Sequence, residues 1–332
     1  MKSINSFSAN KRIAWIDNVK FFAIWCVIFG HFNGLLFTHG RPGFGFVNLL
    51  IVVFNMPLFV LMSGYSNYHS LIRIDNIMSL AKYIKNAILY IALPCIIPSL
   101  LAYVIRDCQG VLSFKHYWFL VMLFIMQVTC GLCFYVSSKL NRANREWIAW
   151  TVFSLAMIML DKYSTSDLFF YYLLGGIAKR IESKGCSECT VVKNNFMIAL
   201  ACCVALCIFP FVGKYQFYYD TIYSLYHEGK IYIWFLRVFD ACLFCYVIIA
   251  LTMKYSSKYN LLSFVGSKTL GLYIFTGLII DICLRYKIMI DDDSMFSWLS
   301  STIISFAATF VALLIILLLE SNKYTRFLFF GK

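Results

Sequence analysis

Residues 12–31 read RIAWIDNVKFFAIWCVIFGH, an apolar run of helix length that also holds Asp17, Asn18, Lys20 and His31. An α-helix advances 100° and 1.5 Å per residue. The step from Lys20 to His31 is therefore three turns plus about 20°, and roughly 16 Å along the axis. Both side chains fall on one face. Asp17, three residues before Lys20, is close enough on a helix to pair with it. Ionisable groups inside a membrane-length helix are costly and mark function by default. The plain alternative is a lysine that snorkels to the interface and a histidine that hydrogen-bonds a neighbouring helix.

The rest of the chain supports a membrane setting for that run. The protein is 61% hydrophobic and 14% charged, with mean hydropathy +0.76. Soluble domains lie nearer 45–50% apolar and about 25% charged. The composition therefore predicts an all-α polytopic membrane protein in which the bilayer is the main partner. The 332 residues leave no room for a separate soluble domain. No secretory signal peptide is expected, because the first apolar run is too long, carries charges and lacks a small-residue cleavage site. The formal charge of +13 belongs to cytoplasmic loops rather than to nucleic-acid binding. Most of the thirteen cysteines, such as Cys202, Cys203 and Cys207, lie in apolar runs and act as small hydrophobes. The pair Cys186 and Cys189 is half a zinc site at most, so no metal is expected.

Counting about 20 apolar residues per span, we read about ten transmembrane helices. Their limits are 14–37, 46–67, 79–105, 117–137, 147–161, 167–180, 195–213, 231–253, 262–284 and 297–319. The fifth and sixth are short, and one of them is a candidate for re-entrance. With the N-terminus inside, and basic residues near helix ends counted with the adjoining loops, nineteen of the 29 lysines and arginines fall on the inner side and eight on the outer, leaving Lys20 and Arg237 within spans. The positive-inside rule then predicts both termini in the cytoplasm.

Few residues carry chemistry. Helix two ends FNMPLFVLMSGYSN, where Pro57 removes a backbone hydrogen bond and Ser63-Gly64 lets the chain turn or another backbone approach. Trp118, in HYWFLVMLF, fits an interfacial aromatic belt. Arg237 and Asp240, three apart in an apolar run, can offset each other's charge or contact substrate. Asp281, Arg285, Lys287 and Asp291 to Asp293 read as a solvated outer loop. No nucleotide loop, zinc-protease helix or nucleophile elbow is present.

Taken together these pieces resemble the membrane-bound acyltransferase family three, the bacterial integral-membrane O-acyltransferases. That family opens with a basic residue, ten residues and a histidine, matched here by Lys20 and His31. FNMPLFVLMSGY resembles its second-helix signature, YWFLVMLF its Trp-Phe-Leu segment, FVGSKTLGLYIF its late glycine block and FLFFGK its tail. The pieces occur in family order over nearly the whole chain, and the short form looks most like the branch that acetylates sugars such as fucose. Two positions depart: Thr276 stands where the late block often has histidine, and Lys82 or Lys85 match the arginine before the third helix only loosely.

The resemblance implies transfer of an acetyl group from acetyl-coenzyme A to a hydroxyl of a surface polysaccharide or lipid-linked sugar, at a bacterial cytoplasmic membrane. In that reading His31 is the general base, Lys20 faces the coenzyme phosphates or sets the field, and Asp17 holds Lys20. Arg12, Lys82 and Lys85 attract the anionic coenzyme. Ser63, Trp118, Arg237 and Asp240 line the acceptor site. The rival classes are a flippase for a lipid-linked sugar, whose mark is inverted repeats or paired broken helices, and a non-catalytic membrane scaffold.

Overall fold

The computed structural model describes residues 13–36, 42–105, 117–140, 144–159, 166–184, 194–212, 225, 228–256, 260–286 and 297–331. Among them every regular element is helical. We number the helices α1 (Ala14–Leu36), α2 (Pro42–Leu71), α3 (Ile77–Ala87), α4 (Leu93–Ile105), α5 (Trp118–Leu140), α6 (Arg145–Met159), α7 (Ser166–Ser183) and α8 (Asn195–Val212). Then follow α9 (Ile231–Tyr255), α10 (Leu261–Gly266), α11 (Thr269–Arg285), α12 (Ser297–Ser321) and α13 (Lys323–Phe330). A π-helical turn, Ile88–Ala92, joins α3 to α4 without a break.

Among the described residues, each of the ten apolar runs is helical over most of its length. Six segments are long and apolar enough to cross a membrane: Leu49–Leu71, Ile77–Val104, Trp118–Leu140, Asn195–Val212, Ile231–Tyr255 and Leu299–Ser321. α1 is not among these six; Asp17, Asn18, Lys20, His31 and Asn33 interrupt its apolar run. α6 and α7 are each one continuous helix. The run at 262–284 is two helices, interrupted at Ser267 and Lys268. Asn260 caps the first of them, its side chain accepting from the Ser263 N–H at 3.0 Å.

α12 is built for lipid. Ile303, Phe306, Phe310, Leu314 and Leu318 are exposed along it, whereas Ser301, Ser305, Ala308 and Ala312 are buried. Large apolar residues outside and small or hydroxyl residues inside invert the soluble pattern and suit close helix packing in a bilayer. The Ser305 and Thr309 hydroxyls donate to carbonyls one turn earlier, at 2.7 Å each, so they bury no unmet donor.

α1 is the central post: it packs against α2, α9, α10, α11 and α12. Near its start, Asn18 donates to the Ser256 hydroxyl at 2.6 Å and accepts from Ser263 at 2.8 Å. Near its end, Asn33 accepts from the Ser301 hydroxyl at 3.3 Å. The tightest crossing is α2 on α7. A Cβ on Gly64 would collide with the Tyr172 carbonyl, and one on Gly175 with the Leu61 carbonyl. Ser63-Gly64 is thus a point of backbone contact rather than a turn.

Contacts across helix ends place one set of termini together. Trp15 meets Tyr65 edge-on at 5.5 Å, Tyr68 donates to Glu146 at 2.9 Å, and Lys254 bonds Asn195. The start of α1, the ends of α2, α7 and α9, and the starts of α6 and α8 therefore share one end of the bundle, here called the near end. The near end is rich in partnered charge. Tyr65 donates to Glu182, Lys179 reaches Glu182 at 2.7 Å, and Arg180 reaches Glu146 at 2.7 Å. Burial pushes the Glu182 carboxyl up. The hydrogen bonds from Lys179 and Tyr65 outweigh that and hold it below the ordinary carboxylate range.

Candidate functional site

The unbroken α1 carries both Lys20 and His31, so the one-face relation drawn from spacing applies to a real helix. Both side chains are half-buried, Asp17 is buried, and Ile24 and Val27, between them on the same side, are fully packed. Aromatic contacts set the depth of other helices against α1. Phe22 stacks on Phe54 at 5.9 Å, and Phe54 meets Phe244 at 5.8 Å.

Phe59 lies between Phe54, the partner of Phe22, and Tyr65, the partner of Trp15, and so stands at the depth of Lys20. Phe119 meets Phe59 at 5.8 Å and Tyr273 at 6.0 Å. Tyr117 is 1% exposed and donates to the Ile274 carbonyl at 3.4 Å. α5 thus begins inside the bundle, and Trp118 sits near the depth of Lys20. Trp118 is the first residue of a candidate membrane span, Trp118–Leu140, and is half-buried beside the buried aromatics Tyr117 and Phe119. Ser63, four residues beyond Phe59, lies near the depth of Asp17. It is half-buried, and its hydroxyl donates to the Phe59 carbonyl at 2.8 Å.

Arg237 and Asp240 are both fully buried on α9. Two rulers place them, each at 1.5 Å per residue: one runs from the Phe22–Phe54–Phe244 stack and one from the Asn18–Ser256 bond. Both put the two residues within about two helical turns of His31 in depth. They do not pair with each other. Neither carboxylate oxygen of Asp240 finds a hydrogen-bond partner among the described residues. Three-apart spacing permits an ion pair on a helix but does not enforce one, because side-chain rotamers on a packed helix follow the neighbours.

Lys82 and Lys85 stand apart from this group. They are exposed on α3, whose other side buries Leu80, Tyr83 and Ala87. α3 belongs to the near end, since Asn67 of α2 bonds Tyr83. Arg12, Lys287, Asp291 to Asp293, Cys186 and Cys189 lie outside the described residues. Asp281, read as part of a solvated loop, is instead in α11 and only 2% exposed. α11 ends at Arg285, one residue past the limit read from the sequence. Thr276, at the position where histidine is common, donates to the Leu272 carbonyl at 2.6 Å, so its hydroxyl serves its own helix.

A cavity of about 260 Å³ lies elsewhere, between α11, α12 and α13, with Gly271 and Phe330 in its lining and the Lys268–Glu320 ion pair in its wall. It is at the near end of α11. No cluster of three potential metal ligands occurs among the described residues.

The family model for an acyltransferase domain, acyltransferase family 3, matches residues 13–320. No curated protein matches the chain, and no solved structure does.

Proposed function

Because the chain belongs to acyltransferase family 3 and its apolar helices make it an integral membrane protein, we propose that it moves an acetyl group from acetyl-coenzyme A to a hydroxyl of a surface-polysaccharide or lipid-linked sugar. The observation that carries this reading is α1. One unbroken helix, packed on five others, presents Lys20 and His31 on one face about 16 Å apart inside the bundle. A separation of that size lets one end of the site hold a donor and the other an acceptor.

A sugar hydroxyl is a weak nucleophile at neutral pH, and imidazole titrates close to neutrality. His31 takes the hydroxyl proton as the oxygen bonds to the thioester carbonyl carbon. The carbon–sulfur bond then breaks, and the imidazolium returns its proton to the departing thiolate. Lys20 supplies a fixed positive charge toward the near end, where coenzyme phosphates arrive. Asp17 steadies that charge. Lys82, Lys85 and Arg12 raise the local concentration of the anionic donor. Ser63, Trp118, Arg237 and Asp240 shape the acceptor side. No metal is needed for these steps. A lipid-linked-sugar flippase and a scaffold are the readings the test below separates from this one.

The test is [¹⁴C]acetyl transfer into glycan by membranes holding matched amounts of each variant. General-base catalysis contributes about 10²–10⁴-fold, so His31→Ala and His31→Gln should both lose at least about 10²-fold. Glutamine keeps a hydrogen bond but does not take up the proton. Near-normal transfer by His31→Gln would end the general-base reading. We also place about ten passes in a bacterial cytoplasmic membrane with both termini inside, so that the near end is cytoplasmic. Reporter fusions at Lys332 and Asp292 should report inside and outside respectively, and an outside Lys332 sinks the arrangement.

A further inference from the structure

We propose that Asp281 is the positioning residue for His31, a carboxylate that fixes the orientation of the imidazole and stabilises its protonated form. The proposal rests on the reading of His31 as the base.

Depth comes first. α12 runs antiparallel to both α1 and α11 and serves as a common ruler. A Cβ on Gly271 would press on Ile316, and Lys268 pairs with Glu320, which fixes α11 against α12. Trp25 meets Phe306 at 5.2 Å and Asn33 accepts from Ser301, which fixes α1 against α12. Asp281 is ten residues above Gly271, and ten residues up α12 from Ile316 is Phe306. Asp281 therefore lies within about two turns of His31.

Direction comes second. Around α11, Gly271 faces Ile316 and Phe330, and Phe275 packs on Phe329 and Phe330. Tyr273 and Gly277 face Tyr117. At 100° per residue, Asp281 falls in the sector between those two faces, beside Leu278. α12 and α13 occupy one side of α11, and Tyr117 at the start of α5 the other. α1 is the remaining neighbour for that sector, with α4 on the opposite side. A carboxylate 2% exposed at this depth is costly without a task. Orienting a catalytic imidazole is such a task, because an acid that accepts from one ring nitrogen presets the other as base.

A structural rival exists. Arg285 lies one turn beyond Asp281 on α11 and is exposed, and an i,i+4 ion pair there would leave His31 alone. The experiment uses the full-length chain in membranes, with [¹⁴C]acetyl-coenzyme A as the probe and protein amount and melting temperature recorded for every variant. Asp281→Asn should lower transfer by about 10²-fold at unchanged protein amount and melting temperature, and Asp281→Glu should recover part of it. The double variant His31→Ala/Asp281→Asn should transfer no less than His31→Ala alone, because Asp281 acts through His31. Arg285→Gln should leave transfer near wild type. Normal transfer by Asp281→Asn overturns the proposal. So does an equal loss in Arg285→Gln, or a further loss in the double variant. If Asp281→Asn does not accumulate, Asp281→Glu decides alone: reduced transfer at normal protein amount supports the proposal, and undiminished transfer overturns it. Normal transfer by His31→Ala would instead remove the function reading itself, a result no Asp281 variant imitates.

Discussion

The near end of the bundle and the middle of α1 both hold polar groups among apolar helices, but they use them differently. At the near end many polar side chains answer one another: Tyr65 to Glu182, Tyr68 to Glu146, Arg180 to Glu146, and Asn67 to Tyr83 and Tyr172. Arg145 there turns to the carbonyls of Ile72 and Ile74. Such a network closes on itself and holds α2, α3, α6 and α7 in register. Around α1 the cost is carried differently. Arg237, Asp240 and Asp281 are buried where hydrocarbon would serve, and Asp240 has no hydrogen-bond partner among the described residues. Satisfied polar groups explain a fold, whereas a buried carboxylate such as Asp240, with no hydrogen-bond partner among the described residues, calls for a use outside the fold.

Three substitutions sharpen or break that contrast. Lys20→Ala should have the largest effect, lowering acetyl transfer by about 10²-fold, the scale of losing one preorganised electrostatic contact. Protein amount should be normal, and Lys20→Arg should retain part of the activity. Undiminished transfer in Lys20→Ala would return Lys20 to the role of a snorkelling side chain. Gly64→Ala should act on the other region in the opposite way. Its methyl meets the Tyr172 backbone rather than a flexible side chain. The cost should be about 1–3 kcal/mol of stability, read as a lower melting temperature in detergent, with transfer per folded molecule unchanged. The smallest effect should come from Asp240→Asn. Removing a buried charge with no partner should leave the melting temperature equal or higher, while transfer falls about tenfold, a modest share of what electrostatic contacts in active sites contribute. A lower melting temperature with normal transfer would move Asp240 to the structural side.

The ten helical runs were legible because hydropathy and length act through composition alone, and α1 keeps its predicted limits to within a residue. The interruption at Ser267 and Lys268 was not, because an apolar run gives no sign of where its backbone turns. Within the site, the Lys20–His31 relation is local to one helix and spacing suffices for it. The depth of Trp118 and of Asp281 is a matter of packing between helices distant in sequence. Asp281 was assigned to solvent because it stands beside Arg285 and close to an acidic run, and burial at a helix end is invisible to charge patterning. Asn18 was visible as a polar intruder, but its double tie to Ser256 and Ser263 depends on which turn reaches it.

Those ties have a mechanical side. Asn18 clasps two serines near one end of α1, and Asn33 clasps Ser301 near the other. A rod pinned at two places neither slides like a piston nor rocks like a lever without breaking a bond at one pin. If chemistry happens along it, the travelling parts are the reactants: a thioester threaded in from the near end and a hydroxyl offered from the far end, meeting at a post that stays still.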